Sequence, residues 1–325
     1  MPPSFRSIDY SLRPAKHAER KMLLELFRRL AVFSPLRDYR YVGLGSVWFS
    51  DFVVVHRSLG LSDMVSIERE RSAEQRIRAN IPFAAIQPIF QTTSSAIPLL
   101  DWSKRQIVWL DYDDPISPAI LADVSAISSR LISGSMLVVS VQHHHAIELD
   151  DLPEDSPPGS AERLFKARYT TDVLPPDLSE SDMRGRPFGK LSREMIHVTI
   201  EREVAVRNTS IDAERQSGLV ASYKRICNIE YADGAPMTTT AGLVHTRADE
   251  PKFAAMGLYD VDFLHQGPAV TVRIEVPKIT PAEARLLEQQ LPRGPALECG
   301  HIPAADADAF ARLYRYLPNF AHIER

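Results

Sequence analysis

The sequence predicts an α/β fold built on a doubly wound, mostly parallel sheet, and three observations predict it. Short apolar runs alternate with helical segments through the first half of the chain. These runs are apolar at consecutive positions, as strands covered on both faces must be. Late in the chain Asp233-Gly234 separates two extended runs, a hairpin signal that supplies an antiparallel pair at one edge of the sheet.

Taken in order, Pro14 to Ala31 reads as an amphipathic helix: Met22, Leu23, Leu26, Phe27 and Leu30 recur at helical spacing, and Pro14 suits a first-turn position. Its other face, with Lys16, Arg20, Lys21, Arg28 and Arg29, reads as a solvated basic surface open to phosphates or an acidic partner. Tyr39 to Leu44 is the first strand, followed by a helix from Phe52 to Leu59; Asp63 to Ile67 and Ala73 to Asn80 repeat the unit. Ala84 to Phe90 is the third strand, Ile97 to Leu100 a helical turn, and Gln106 to Leu110 the fourth strand. Ser117 to Ile132 is helical, and Ser135 to Val141 is a fifth strand that runs out at His143, His144 and His145.

From Asp151 to Pro187, Pro, Asp, Ser and Glu dominate without lasting periodicity, which reads as a long surface excursion. Lys224 to Tyr231 and Met237 to Val244 flank the Asp-Gly turn, and Ala269 to Val276 is strand-like. Thr280-Pro281-Ala282-Glu283 opens a helix with Thr as cap, Pro first and Glu third. The expected divisions are an N-terminal helical segment (1–38), a cofactor-binding core (39–150), an insertion (151–223), the rest of the sheet (224–276) and a C-terminal extension (277–325).

Hydrophobic residues make up 44% and charged residues 25% of the 325, enough apolar surface for a sizeable core and too much for wholesale disorder. A formal net charge of -4 leaves no global positive field to draw the chain onto nucleic acid or an anionic membrane. Cys227 and Cys299 stand in no metal-ligand spacing and form no disulfide framework. With no apolar signal core in Met1 to Arg6, and no run near the roughly 20 apolar residues of a bilayer span, the expectation is a cytoplasmic protein without a membrane partner.

The chemistry begins at Gly43-Leu44-Gly45-Ser46-Val47-Trp48-Phe49. Glycines there let the backbone pass close beneath a ligand, and the following helix offers free N–H groups. The second strand ends in Ser66-Ile67-Glu68, placing a carboxylate where it can accept both hydroxyls of a ribose. A dinucleotide fingerprint needs a third glycine where this chain has Trp48, so a pyrophosphate would be badly cradled and nicotinamide chemistry is disfavoured.

This Gly-x-Gly-x-x-x-Phe loop, with the acidic end of the second strand and the late hairpin, resembles class I S-adenosylmethionine-dependent methyltransferases, over Tyr39 to Gln142 and again over Lys224 to Val244. The chain also resembles a bacterial O-methyltransferase-like group through Arg13-Pro14-Ala15-Lys16 and Ala232-Asp233-Gly234-Ala235-Pro236-Met237. The resemblance implies a Rossmann-like methyltransferase core, S-adenosylmethionine as cofactor, and an enzyme acting on an oxygen or nitrogen acceptor. It also implies that Gly43, Gly45, Ser46 and Phe49 surround the methionine part of the cofactor and that Glu68 holds the ribose with Arg69 beside it. Phe90 and Gln91 would flank the adenine, where the family's usual acidic residue is absent.

Trp109-Leu110-Asp111-Tyr112-Asp113-Asp114-Pro115 leaves the fourth strand at the carboxyl edge of the sheet, where open α/β sheets bind ligands, so Asp111 is expected to face cofactor and acceptor. Crowded carboxylates raise one another's pKa, which would poise Asp111 or Asp113 as general base; alternatively Asp113 or Asp114 simply caps the next helix. His143, at the same edge, is a third catalytic candidate, as base or polar wall. The histidine run is not read as a metal site: catechol-type enzymes of the resembled superfamily hold magnesium through oxygen ligands, and adjacent residues of a strand point to opposite faces. The Asn-Pro-Pro-Tyr type of motif of amino-methylating DNA enzymes is absent. The acceptor stays open between a small molecule and nucleic acid, as does a protein partner, and the insertion between Asp151 and Gly218 is expected to shape the acceptor site. The alternative function is a non-catalytic module that binds an adenosyl ligand or nucleotide as a sensor or to organise a partner.

Overall fold

The computed structural model describes residues 13–318 apart from 154, 213, 266, 268, 269 and 293–296; Met1 to Arg6, and Ala269 at the start of the last expected strand, lie outside the described residues. Helix α1 (Pro14–Arg29) is followed by β1 (Arg40–Leu44), α2 (Ser50–Leu59), β2 (Asp63–Ile67), α3 (Glu74–Ala79), β3 (Ile86–Ile89), α4 (Thr93–Ala96), β4 (Gln106–Pro115), α5 (Pro118–Ser128) and β5 (Ser135–Gln142). Then come α6 (Ser160–Arg168), α7 (Gly185–Asn208), the hairpin β6 (Ala221–Asp233) and β7 (Ala235–Thr246), α8 (Glu250–Ala254), β8 (Thr271–Ile274), α9 (Pro281–Glu288) and α10 (Ala304–Leu313).

One eight-stranded sheet runs in the order β3-β2-β1-β4-β5-β7-β6-β8. The first five strands are mutually parallel, β7 lies antiparallel between β5 and β6, and β8 adds parallel to β6. The order reverses between β1 and β4, so the crevice of a doubly wound sheet opens at their carboxyl ends. Consecutive burial along β2, β4 and β5 has its cause in two cores, one on each face. One joins α1, α2 and α3 to the sheet through residues such as Leu23, Phe27, Phe52, Ile77 and Trp109. The other joins α5, α6 and α7 to it through Val124, Ile127, Phe165, Phe188 and Ile196. A third, smaller cluster of Leu287, Ile302, Ala307 and Phe310 unites α9 and α10, and α9 starts with the Thr280–Glu283 capping box its sequence predicts.

Three expectations change. The segment from Asp151 to Pro187 is not featureless: it holds α6 and the first turn of the 24-residue α7, which packs on β6, β7 and α5. Phe188, Leu191, Met195, Ile196, Ile200 and Val204 form a helical stripe there, masked in sequence by Gly185, Pro187 and Gly189 around the first turn. The acids after the fourth strand do not cap a helix, because β4 continues through Pro115 with an irregularity after Asp111, and Ser117 caps α5 by accepting from the Ile120 N–H. Finally, the basic face of α1 is not all solvated: Lys16 and Arg20 are buried.

Between α7 and the hairpin lies a buried polar group, His197, whose Nδ1 meets the Tyr223 hydroxyl at 2.9 Å and whose Nε2 meets Thr240 Oγ1 at 2.8 Å. Burial, with Arg225 nearby, lowers its pKa from 6.5 to about 4. The unfolded chain therefore takes up this proton near 6.5 while the folded chain resists until about 4, so stability is full above that window and falls as pH drops through it. His17, also lowered to about 4 by burial with Lys21 and Arg20 beside it, acts in the same window and with the same sign. Urea unfolding at pH 7.5 and pH 5 checks this: the wild type loses stability between the two, and His197→Gln loses measurably less.

Candidate active site

The glycine bend is set between two packed aromatic rings and the end of β2. Phe49 has φ 48°, a left-handed backbone that costs a non-glycine residue on the order of 1 kcal/mol. Its buried ring meets Phe52 edge-on at 5.7 Å, and Phe52 meets Tyr41 at 5.1 Å, so burial of the ring offsets the strain and fixes where α2 begins. At the other side the Gly45 N–H donates to Ile67 O, and the Glu68 N–H donates to Ile89 O at 2.9 Å, tying the ends of β1, β2 and β3 into one rim. A side chain on Gly45 would stand 2.5 Å from Ser66 Oγ and 3.3 Å from Glu68 Cβ. The bend and the acidic residue, linked in sequence only by inference, are therefore in direct apposition.

Of the residues expected around a cofactor, Gly43, Gly45, Ser46, Glu68, Phe90 and Gln91 lie on this rim, whereas the Phe49 ring is committed to the core. Glu68 is nearly buried and accepts the Glu70 N–H at 2.9 Å through Oε1; burial raises its pKa. Beneath it Ser66 Oγ is buried without a hydrogen-bond partner. Phe90 lies under the Arg78 guanidinium, 4.7 Å away, and its carbonyl accepts from Arg71 Nε at 3.1 Å. Arg69 is exposed and reaches Asp114 at 3.8 Å, so the loop after β2 and the last residues of β4 approach each other across the end of β1.

Next to the rim sits a buried charge cluster that sequence reasoning missed. Lys16 Nζ lies 2.7 Å from Asp111 Oδ1 and 2.7 Å from Glu19 Oε2, and 4.6 Å above the Trp109 ring. Arg20 pairs with Asp51 in the first turn of α2, directly after the glycine loop. Thr239 Oγ1 donates to Glu19 and lies 2.8 Å from Ser140 Oγ, which in turn accepts from Trp109 Nε1 at 3.0 Å. Two cations thus face three carboxylates. Burial would lower Lys16, but Asp111 and Glu19 hold its pKa well above the ordinary value. Burial raises Asp111 and Glu19 in spite of Lys16, whereas Asp51, against its own burial, is held low by Arg20. One signal was present: the buried stripe of Leu23, Phe27 and Leu30, carried back by three and four residues, meets Lys16, Glu19 and Arg20.

Asp113 and His144 are exposed, and His145 Nε2 pairs with Asp150 at 2.8 Å. Among the described residues, no group of three His, Cys, Asp or Glu side chains is arranged to hold a metal ion. His143 differs from its neighbours. It is buried to 6% exposure and its Nδ1 lies 3.1 Å from Gly185 O. A carbonyl only accepts, so Nδ1 carries the proton, and in the neutral ring Nε2 keeps the lone pair. The ring lies against α7, where a side chain on Gly189 would come within 3.1 Å of His143 Cγ. It also lines a cavity of about 550 Å³ walled by the carboxyl ends of β6 and β8. The cavity opens beyond β5, at the same sheet edge as the glycine bend but not over it.

Residues 8–325 match the model of a family described as "Putative O-methyltransferase". The chain belongs to this family. No curated protein matches it. Solved structures with similarity include cofactor-bound Rv0187 from MTB, 12% identical over 68% of this chain and 80% of that one, with a TM-score of 0.33. Another is the O-methyltransferase TomG from Streptomyces achromogenes, involved in tomaymycin synthesis and solved in complex with SAM, 16% identical over 73% of this chain and 91% of that one, with a TM-score of 0.36. Family membership agrees with the resemblance carried by the glycine loop and the hairpin.

Two substitutions test the geometry. Lys16→Met leaves Asp111 and Glu19 without their cation, and should lower stability by about 3 kcal/mol, read by chemical denaturation. Gly189→Ala has room only if the His143 ring moves, and should change the His143 imidazole resonances in NMR while lowering stability by less than the Lys16 variant does.

Proposed function

We propose that this protein is an S-adenosylmethionine-dependent O-methyltransferase that binds the cofactor's ribose at Glu68 and its amino-acid end over the Gly43–Gly45 bend, and that takes its acceptor beside His143. The observation that carries the reading is the apposition of Gly45 and Glu68 at the switch point of the sheet, on a chain of this family. The residues fit the ligand in kind. A backbone stripped of side chain at Gly45 leaves space against Ser66, and the unpartnered Ser66 hydroxyl and the nearly buried Glu68 carboxyl are polar groups suited to a sugar edge. The dry setting of Glu68 makes hydroxyl donors more valuable to it than they would be in water.

When bound, S-adenosylmethionine supplies a methyl group on a sulfonium that is already a good leaving group, so positioning contributes most of the catalysis. The chain's own tasks are then few. His143 Nε2 takes the proton of the acceptor hydroxyl as the oxygen–methyl bond forms, and its Nδ1–H to Gly185 fixes the tautomer that makes this possible. Asp111, held by Lys16, would offer a bound sulfonium negative charge rather than act as a base, because its near oxygen is committed to the ammonium. The non-catalytic alternative finds no support in the family.

The test is direct. Wild type should bind S-adenosylmethionine and not NAD by calorimetry, and Glu68→Gln should weaken binding about tenfold or more. Affinity in the wild type should also fall on acidification at a pH above that of an exposed glutamate, since burial raises Glu68 and the protonated form no longer accepts both hydroxyls; Glu68→Gln should be flat. His143→Gln should keep the cofactor affinity and lose about a hundredfold or more in turnover. NAD binding in place of S-adenosylmethionine, or full turnover in the His143 variant, would refute the respective half of the proposal.

A further inference from the structure

The cavity beyond His143 has a lining whose charges do not cancel locally. Three carboxylates and three cations reach it. Two of the carboxylates are already used by the fold. Glu230 Oε1 accepts from the buried Arg193 at 2.7 Å, an arginine that also binds Thr238 and Thr271. Asp233 Oδ2 accepts the Lys16 N–H at 2.8 Å and so caps α1, which has no side-chain cap of its own. Glu275 is left, against Arg186, Arg273 and Lys278. Arg186 reaches Glu275 only at 4.0 Å with both side chains largely exposed, a pairing of little strength. Arg273 leans on Glu230 at 3.5 Å through Nε, which leaves the outer edge of its guanidinium, and among the described residues the Lys278 ammonium has no ion-pair partner, the Lys278 main-chain N–H alone meeting a carboxylate, that of Asp306 at 2.9 Å. The remaining wall is apolar, from Pro236, Ile274, Val276 and Pro277.

We infer that this cavity takes an acceptor that carries an anionic group, a carboxylate or a phosphate ester, on an apolar body together with the hydroxyl to be methylated. Arg273 and Lys278 would hold the anion while the apolar wall takes the body and His143 meets the hydroxyl. A volume of about 550 Å³ suits a compact small molecule. The inference rests on the methyltransferase reading for its hydroxyl, but not for its anion.

The experiment uses the full chain and four phenols of similar size: 4-hydroxybenzoate, 4-hydroxyphenyl phosphate, 4-hydroxybenzyl alcohol and tyramine. Their affinities are measured by ligand-observed NMR, with S-adenosylhomocysteine binding followed separately by calorimetry. The two anions should bind at least tenfold tighter than the neutral alcohol and the amine. In Arg273→Gln/Lys278→Gln, both exposed positions, that preference should fall at least fivefold while S-adenosylhomocysteine binds as before. Equal or tighter binding of the alcohol or tyramine overturns the inference, as does an anion preference that survives the double variant, or no binding by any of the four at millimolar concentration. Failure to bind S-adenosylhomocysteine would instead strike the methyltransferase reading, and the anion preference would still be read from the phenols alone.

Discussion

A single ammonium group holds together parts of this chain that lie far apart in sequence. Lys16 is the cation against which Asp111 on β4 and Glu19 on its own helix are both placed, with Trp109 and Tyr231 closing over it. Burying one charge without partners is prohibitive, and burying several is tolerable only when each finds its counterpart in one geometry. The cluster therefore leaves α1 little freedom to slide or roll: a shift of one residue would bury a wrong side chain beside two carboxylates. Arg20 extends the same constraint to Asp51, and through it to the helix that starts after the glycine bend. The floor of the candidate site is thus positioned by electrostatics and not by apolar packing alone.

This arrangement divides labour along the edge of the sheet. The β1 to β3 side carries a backbone bend and a nearly buried acid, features suited to a polar but phosphate-free ligand. The β5 to β8 side carries an imidazole of defined tautomer and a cavity lined by cations and carboxylates. Between them Asp111 and Lys16 form a charged partition, partly open on the Asp111 side, where exposure is 22%. Methyl transfer needs a sulfonium and an oxygen brought together in a site that has lost bulk water.

How much of this was legible in the sequence follows from which forces write periodic patterns. Strands covered on both faces must be apolar at every position, so β1, β2, β4 and β5 stood out, as did the hairpin marked by Asp233-Gly234. The Thr280 capping box was readable because its chemistry is local. Helix α7 was missed because two glycines and a proline in its first turn mimic a loop; one of those glycines exists to admit the His143 ring, a partner more than 40 residues away that no local rule can see. The glycine bend and Glu68 were each legible, and their apposition was a correct inference from topology. The charges of α1 were not, since lysine and arginine beside an apolar stripe ordinarily mean water, and only the fold supplies the carboxylates that bring them inside.

The capping of α1 by Asp233 has a consequence for the order in which the molecule is assembled. The contact spans 217 positions of chain, and Thr239, which closes the Glu19 side of the cluster, lies further on still. During synthesis the first helix emerges with its inward charges unmatched, and it has no complete berth until the β6–β7 ribbon has left the ribosome. The ligand crevice is therefore among the last features to mature, and a chain cut short before that ribbon would carry the glycine loop without the completed charge cluster beside it.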